Sequence, residues 1–295
     1  MRIGLLGTGP WARMVHAPVL EAHDALDFAG VWGRRPEAAE ELAARHGTRA
    51  YDHVDTLLAD VDAVAVALPP DVQARLAVRA AGAGCHLLLD KPVAATVAGA
   101  REVVRAARDA RVASVVFFTT RFMPGAADWI AEQADTGGWF TGHAQWLGDV
   151  FHGASESPFA TPWRGEKGAL WDVGPHALSV LLPVLGDVRR VTAAAHGPRD
   201  TVHLVLDHVS GASSTVTLSL TAPPAATGAD VELRGTAGAT RLPRGGDAAG
   251  ALTRAADELL ASARDGRPHP CDAAFGLRVT ELLAAAETLL TSEAR

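Results

Sequence analysis

The feature that most constrains this chain is a short apolar segment followed at once by a glycine-rich turn. Arg2–Leu6 is long enough for a buried strand, and Gly7-Thr-Gly9-Pro-Trp-Ala12 follows it with the spacing G-x-G-x-x-A. Gly7 suits a tight turn, Gly9 leaves its backbone open to a pyrophosphate, and Ala12 lets the next helix pack closely on the sheet. The spacing alone is weak evidence, because an ordinary loop can match it. Its position after an N-terminal strand predicts a βαβ unit that binds a dinucleotide at the start of its helix.

Composition sets the broad class of the chain. Its 295 residues, 48% of them hydrophobic, predict two domains at roughly 150 residues each. The net charge of −7, with no basic block, argues against a nucleic-acid partner. The sequence shows no continuous apolar run of ~18 residues and no signal-peptide pattern, so we expect no membrane partner and a cytoplasmic location. Cys85 and Cys271 are too few for a disulfide framework, and each is expected to be a buried small hydrophobe.

Strand and helix signals alternate through residues 1–120, which is typical of an α/β domain with a doubly wound parallel sheet. The fourth strand signal is a continuous apolar run, as expected for a strand buried on both faces. Pro18 is expected to shorten the first helix. The predicted strands of this Rossmann domain are Arg2–Leu6, Asp27–Trp32, Arg49–Tyr51, Asp62–Leu68, His86–Leu89 and Val112–Phe118.

The end of the second predicted strand bears on the choice of cofactor. A dinucleotide fold that prefers NAD has Asp or Glu near this point, to bind the ribose 2′-hydroxyl. This chain has Gly33 followed by Arg34 and Arg35, and arginine binds a 2′-phosphate through paired hydrogen bonds. The alternative is a solvated arginine pair at the start of a helix. We expect NADP(H) to be preferred over NAD(H).

Lys91 and Lys167 stand out because all the other residues among the 27 Lys and Arg are arginine. Lys91 lies in Asp90-Lys91-Pro92, directly after the fifth predicted strand. This is the carboxyl edge of the sheet, where ligands bind in open α/β folds. A buried lysine can titrate near neutral pH and move a proton, whereas arginine stays charged. The alternative is a structural ammonium paired with Asp90.

Residues 121–295 have the pattern of an α+β domain with an open, largely antiparallel sheet. Val202, Leu204 and Leu206 alternate with more polar neighbours, which predicts one covered and one open face. The last two elements are expected to be closing helices, Ala251–Arg264 and Asp272–Leu290.

Between the first two strands of that sheet lie a loop and a helix. The segment Phe151–Lys167 has no periodicity and is expected to be a substrate-facing loop. Asp172–Leu185 is predicted to be a helix, on which Asp172 and His176 share one face. The loop residues expected to face substrate are Trp163, Arg164 and Lys167.

Several motifs occur in one order along the chain and resemble those of the glucose–fructose oxidoreductase/inositol dehydrogenase (Gfo/Idh/MocA) family. Besides the N-terminal G-x-G-x-x-A, they are Val61-Asp-Ala-Val64 leading to Pro69-Pro70, Asp90-Lys91-Pro92, Arg121-Phe122-x-Pro124, and Gly168-Ala-Leu-Trp-Asp172-Val-Gly174-Pro-His176. The resemblance implies an N-terminal Rossmann domain and a C-terminal domain with an open sheet. It also implies hydride transfer between nicotinamide and a sugar, cyclitol or related carbonyl compound, in a homodimer or homotetramer formed through the C-terminal sheet.

The same resemblance implies roles for individual residues. Hydride transfer to a carbonyl needs a proton donor, and the reverse reaction needs a base. Lys91 and His176 are the candidates, with Asp172 orienting His176 or keeping Lys91 protonated. The expected cofactor contacts are Gly7, Gly9, Pro10, Trp11, Ala12, Arg34, Arg35, Leu68, Pro69, Asp90 and Lys91. The expected substrate contacts are Lys91, Arg121, Trp163, Arg164, Lys167, Asp172 and His176.

Departures from the family pattern bear on the substrate. Asp90 replaces the usual Glu, Gln73 replaces a common histidine, Ser179 replaces a frequent Asp, and Lys167 stands where a glycine is usual. Lys167, with Arg164, would make the segment cationic. This suggests a substrate with a carboxylate or phosphate, the alternative being a solvent-exposed loop charge.

The catalytic interpretation has alternatives. His176 could be a packed core residue, as a lone helical histidine often is. Asp172 and His176 supply only two metal ligands, so we expect no metal. The fold also occurs in non-catalytic regulators that bind nicotinamide dinucleotides. The combination of Lys91, Asp172 and His176 favours the enzyme.

Overall fold

The computed structural model describes residues 1–153 and 157–293, which form two compact units. The first comprises Met1–Phe122 and Asp247–Arg278, and the second comprises the intervening residues and the end of the chain. The N-terminal part of the first unit ends at Phe122, whereas the sequence predicts domains over residues 1–120 and 121–295. The second unit does not run unbroken over 121–295, because residues 247–278 return to the first unit.

The first unit contains a six-stranded parallel sheet with the order β3-β2-β1-β4-β5-β6. The sequence interpretation is confirmed, each strand lying within two residues of its predicted ends. All residues of β4 and β6 are buried, since helices cover both faces of the sheet. The strands are β1 (Arg2–Leu6), β2 (Asp27–Trp32), β3 (Arg49–Tyr51), β4 (Ala63–Val66), β5 (His86–Asp90) and β6 (Ser114–Phe117).

The helices of the first unit connect these strands. They are a π-helical turn (Ala12–His16), α1 (Ala17–Ala22), α2 (Pro36–Arg45), α3 (Val54–Asp60), α4 (Pro70–Gly82), α5 (Val97–Ala110), α6 (Thr119–Phe122) and, from later in the chain, α10 (Ala248–Asp265). The prediction that Pro18 shortens the first helix was wrong. The widened turn before it places Pro18 in the first turn of α1, where its missing N–H removes no bond.

The second unit contains a six-stranded mixed sheet with the order β12-β11-β7-β10-β9-β8. Only the β7–β10 pair is parallel, so the prediction of a largely antiparallel sheet is confirmed. Helix α9 packs on β7, and the alternation in β9 buries Leu204 while Val205 stays exposed on the other face. The strands are β7 (Trp139–Leu147), β8 (Val188–His196), β9 (Val202–His208), β10 (Ser213–Ser219), β11 (Gly228–Gly235) and β12 (Gly238–Arg241).

The helices of the second unit correct one prediction. They are α7 (Pro124–Thr136), α8 (Pro162–Asp172) and α9 (Gly174–Leu185), and α11 (Ala273–Glu293) runs from the first unit into the second. The described residues of the predicted loop before Pro162 are irregular, but its last six residues belong to α8. Pro162 begins this helix and Gly168 breaks it with φ 63° and ψ −167°. Residues 154–156 of the predicted loop lie outside the described residues.

The single helix predicted over Asp172–Leu185 is two helices. Asp172 ends α8, Val173 is the junction, and Pro175 lies in the first turn of α9. The stretch Pro162–Leu185 is long and apolar enough to cross a membrane by length and composition, but 83% of its most apolar window is buried inside the protein. The core helices of a folded domain have the same composition.

Candidate active site

The glycine-rich turn after β1 has the geometry that its sequence predicts. Gly7 has φ 133°, and a Cβ at this position would lie 2.4 Å from the Ala67 carbonyl oxygen, so only glycine fits. At Gly9 a Cβ would meet no atom within 4 Å among the described residues, which leaves open space in front of the backbone. The amide of Arg13 donates to the Gly9 carbonyl at 3.0 Å and begins the helix there. This turn therefore fits a phosphate at a helix start.

The end of β4 borders the same turn. The Leu68 side chain lies 3.5 Å from the point where a Cβ of Gly7 would stand, and Pro69 caps α4. In the sheet β4 lies next to β1, and β5 lies next to β4. The carboxyl ends of these three strands thus carry the glycine turn, Leu68 with Pro69, and Lys91 along one edge, as expected.

The space at the end of β2 bears on the cofactor. A Cβ at Gly33 would lie 2.7 Å from the Thr8 methyl group, so the Thr8 side chain would have to shift to admit the carboxylate typical of NAD-preferring folds. Arg34 and Arg35 are exposed beside it. A third arginine, Arg13, donates twice to the Glu41 carboxylate, at 2.8 and 3.0 Å, and is neutralised by it.

One turn after the glycines lies a buried histidine that the sequence analysis did not single out. His16 is fully buried in the π-helical turn, edge-on to Phe117 with ring centroids 6.4 Å apart. Neither ring nitrogen has a hydrogen-bond partner among the described residues. Burial lowers the pKa of His16 to about 3, so the imidazole is neutral at physiological pH.

Lys91 follows β5 directly, and the segment around it is fixed by hydrogen bonds. The Asp90 carboxylate accepts a hydrogen bond from the Lys91 backbone N–H at 2.8 Å. The Gln73 amide, which is completely buried in α4, bonds to the backbone of Asp90, Pro92 and Val93. The sequence analysis treated Gln73 only as a departure from the family pattern. A polar residue on the buried face of an amphipathic helix was the available signal.

In the second unit Asp172 is held by a buried ion pair. Its carboxylate accepts from Arg164 Nε at 3.0 Å, and the side chains are 7% and 19% exposed. The Arg164 guanidinium also donates to the Phe159 carbonyl and lies 4.8 Å from the Trp163 ring centre. These contacts hold the Arg164 guanidinium beside Asp172, and its assignment to a substrate stays a prediction.

His176 is on α9, one helix away from Asp172. Its ring stacks on Trp146 of β7, with centroids 5.4 Å apart and planes 12° apart. Ser179 donates to the His176 carbonyl at 2.8 Å. The expectation that Asp172 and His176 share a face of one helix was wrong, because Gly174 and Pro175 start a new helix between them. Both residues nonetheless lie at the α8–α9 junction.

Lys167 has partners within its own unit. Its ammonium lies 3.0 Å from Glu287 Oε1 and 4.7 Å from the Trp171 ring centre, and the Trp171 indole N–H donates to the same oxygen. Lys167 thus joins α8 to α11 within the second unit. Its assignment to an anionic substrate stays a prediction, now with a neutralising carboxylate beside the ammonium.

Arg121 lies in the first unit among residues of its C-terminal part. Its guanidinium is 5.9 Å from the Phe275 ring centre and lies against Cys271. Burial, and secondarily the Arg121 charge, lower the pKa of His269 to about 4. Both Cys85 and Cys271 are buried thiols, as expected. Among the described residues, no group of three or more His, Cys, Asp or Glu could hold a metal ion.

Comparisons with known proteins agree with these two units. The family described as "Oxidoreductase family, NAD-binding Rossmann fold" matches residues 1–118, and the "GFO/IDH/MocA C-terminal domain" matches residues 142–241. The chain is 30% identical over 245 residues to D-xylose 1-dehydrogenase (NADP(+)) 2 of Haloferax volcanii, covering 76% of this chain and 70% of that protein.

Two further similarities are shorter or more distant. The chain is 41% identical over 92 residues to UDP-N-acetylglucosamine 3-dehydrogenase of Acidithiobacillus ferrooxidans, covering 31% of this chain and 28% of that protein. Several curated relatives are matched in this way over about a third of their length. The crystal structure of GenD2 from gentamicin A biosynthesis, in complex with NAD, superposes with a TM-score of 0.87 at 22% identity, covering 100% of this chain and 95% of that one. With both domains matched in order, the chain belongs to the Gfo/Idh/MocA family of NAD-binding oxidoreductases.

Proposed function

We propose that this protein is an NADP(H)-dependent oxidoreductase that transfers hydride between nicotinamide C4 and a carbonyl or hydroxyl carbon of a sugar, cyclitol or related small molecule. The observation that carries the proposal is the position of Lys91. One of only two lysines in the chain directly follows β5, on the sheet edge that also holds the open glycine turn. This position supports a role for Lys91 in exchanging a proton beside a bound dinucleotide.

The cofactor would be held at the carboxyl edge of the first sheet. The turn of Gly7 and Gly9, with the helix that follows, fits the pyrophosphate, and Leu68 with Pro69 borders it. When bound, the cofactor supplies or accepts the hydride. The preference for NADP(H) is supported by the lack of a carboxylate at Gly33 and by the exposed Arg34 and Arg35 that follow it.

We assign the proton transfer to Lys91 and His176. The backbone on both sides of Lys91 is fixed by hydrogen bonds, and His176 is fixed by its stacking on Trp146. Fixed groups act as acid and base without a reorganisation cost during the reaction. Asp172 completes the proposed set of Lys91, His176 and Asp172. Its carboxylate forms an ion pair with Arg164 in the second unit.

The competing function is a regulator that binds the dinucleotide without turnover. A panel of D-xylose, myo-inositol and UDP-N-acetylglucosamine with NADP⁺, and of keto-sugars with NADPH, separates the two. Absorbance change at the nicotinamide band with any member supports the enzyme. Tight NADPH binding by fluorescence with no turnover on the whole panel supports the regulator.

We also propose a cytoplasmic homodimer or homotetramer formed through the open face of the second sheet. On β9 and β10 that face carries the uncharged residues Val205, Thr215 and Thr217, while Asp207 and Glu232 share the face and form ion pairs with arginines. Mixed small side chains of this kind are compatible with a symmetric face-to-face contact. Light scattering at micromolar concentration should show a dimer or larger species, and a monomer alone would contradict the proposal.

A further inference from the structure

Strand β5 extends beyond the neighbour that pairs with it on one side. The register with β4 ends at Ala65–Leu88, whereas β5 continues to Asp90, which pairs with Phe117 of β6. The Gln73 side chain takes the place of the missing strand. Its Oε1 accepts the Asp90 N–H at 2.8 Å, and its Nε2 donates to the Asp90 carbonyl at 2.7 Å. A primary amide can imitate a backbone peptide group in this way.

The same Nε2 reaches past Lys91 to the next part of the chain. It lies 3.1 Å from the Pro92 carbonyl oxygen and 3.3 Å from that of Val93. One amide group therefore binds the backbone before and after Lys91. Lys91 lies between these bonds, and its own backbone N–H donates to the Asp90 carboxylate at 2.8 Å.

The anchor is itself firmly held. Gln73 is 0% exposed, and its backbone N–H donates to the Pro69 carbonyl at 2.8 Å in the first turn of α4. Buried amide hydrogen bonds cannot be exchanged for bonds to water, so breaking them leaves unsatisfied groups. The position of the Lys91 backbone is thus tied to a helix that begins directly after β4.

We propose that Gln73 is a positioning residue for Lys91: it fixes the backbone on both sides of the lysine and so holds the ammonium at the cofactor edge. The importance of this for catalysis rests on the function proposed above. The positioning itself concerns only residues of the first unit, so it has a test that needs no substrate.

The test uses the fact that the chain has only two lysines. Gln73→Met removes the amide at nearly constant volume. Purified wild type and variant are acetylated with the N-hydroxysuccinimide ester of acetic acid, with NADPH absent and then present, and the rate at each lysine is read by mass spectrometry. Lys167, which is bound to Glu287 in the second unit, is the internal reference. Hydrogen exchange of the 89–94 backbone is followed in the same samples.

The proposal predicts a several-fold change at one site. In Gln73→Met the acetylation rate of Lys91 rises several-fold and exchange at 89–94 accelerates, while the rate at Lys167 stays at the wild-type value. Equal rates at Lys91 in both proteins would overturn the proposal, as would a parallel rise at both lysines, which indicates general loosening. Gln133→Met, at a buried glutamine of α7, is the matched control and should leave Lys91 unchanged.

A second variant guards against misfolding. Gln73→Asn keeps an amide but is one methylene shorter, so it can bond to the backbone on only one side of Lys91 at a time. The acetylation rate of Lys91 in this variant should lie between the rates in wild type and in Gln73→Met. The proposed function is tested separately, by the turnover of Lys91→Ala. If Lys91→Ala is fully active, the catalytic role fails and the positioning result stands. If labelling is unaffected by either Gln73 variant, the positioning fails and the catalytic role stands.

Discussion

Replacing the buried His16 by leucine should make the protein more stable, and more so in acid. Both ring nitrogens lack a hydrogen-bond partner among the described residues, and such a buried polar group costs about 1–3 kcal/mol. Leucine has a similar volume and no polar atoms. At neutral pH we therefore expect His16→Leu to raise the free energy of unfolding by about 1 kcal/mol or more.

The pH dependence follows from the lowered pKa. His16 has a pKa of about 3 in the folded protein against 6.5 in a free histidine. The unfolded chain binds the proton more readily than the folded protein. The stability that depends on a neutral His16 is therefore complete above the unfolded pKa and is lost as the pH falls towards the folded pKa. At about pH 5, roughly 1.5 units below the unfolded pKa, the imidazole is protonated in the unfolded chain but not in the folded protein. Relative to neutral pH, this lowers the free energy of unfolding by about 2 kcal/mol. His269, whose pKa is also lowered, acts in the same direction.

Urea unfolding at neutral pH and at about pH 5 measures both effects. The loss of stability on acidification should be smaller by about 2 kcal/mol in His16→Leu than in wild type. The control is His196→Leu, at an exposed histidine of β8, which should leave the wild-type pH dependence in place. A His16→Leu protein that is less stable than wild type and equally acid-sensitive would refute the reasoning.

Three further predictions address the cofactor and the second unit. Arg34→Ala should weaken NADP(H) more than NAD(H) and so narrow the difference in Kd measured by fluorescence; NAD(H) preferred by wild type would contradict the assignment. Asp172→Asn leaves the Arg164 guanidinium buried without its partner and should cost about 3 kcal/mol in urea unfolding; a loss under about 0.5 kcal/mol, the size of an exposed pair, would show that the ion pair is solvated. Lys167→Ala removes the contact with Glu287 and should lower stability by about 1 kcal/mol without changing KM for uncharged sugars; a KM that rises for an anionic substrate alone would instead place Lys167 at the substrate.

The first unit was predictable because its signals are local. Alternating strand and helix signals predict the parallel sheet, and the G-x-G-x-x-A motif predicts the tight turn that requires glycine at Gly7. Strands β1, β2 and β3 begin and end at the residues predicted for them.

The parts that were missed depend on contacts distant in sequence or on opposing local signals. The segment up to Lys167 has no periodicity and was predicted to be a loop, yet Pro162 is favoured in a first helical turn and begins α8. Gln73 bonds to residues 17–20 positions away, and Lys167 pairs with a carboxylate 120 positions away. No periodicity records such partners. The return of residues 247–278 to the first unit was missed for the same reason.

Proton transfer by Lys91 is tested by measuring the turnover of Lys91→Ala and Lys91→Arg with the substrates of the panel that wild type accepts. Lys91→Ala should lower kcat by about 10²–10⁴, the usual contribution of general acid–base catalysis, with little change in the Kd for NADPH. Lys91→Arg should fail nearly as badly, since it keeps the charge but cannot exchange the proton. A Lys91→Arg enzyme with near-normal kcat would contradict the account, because Lys91 would then be only a fixed charge and the proton would pass through His176.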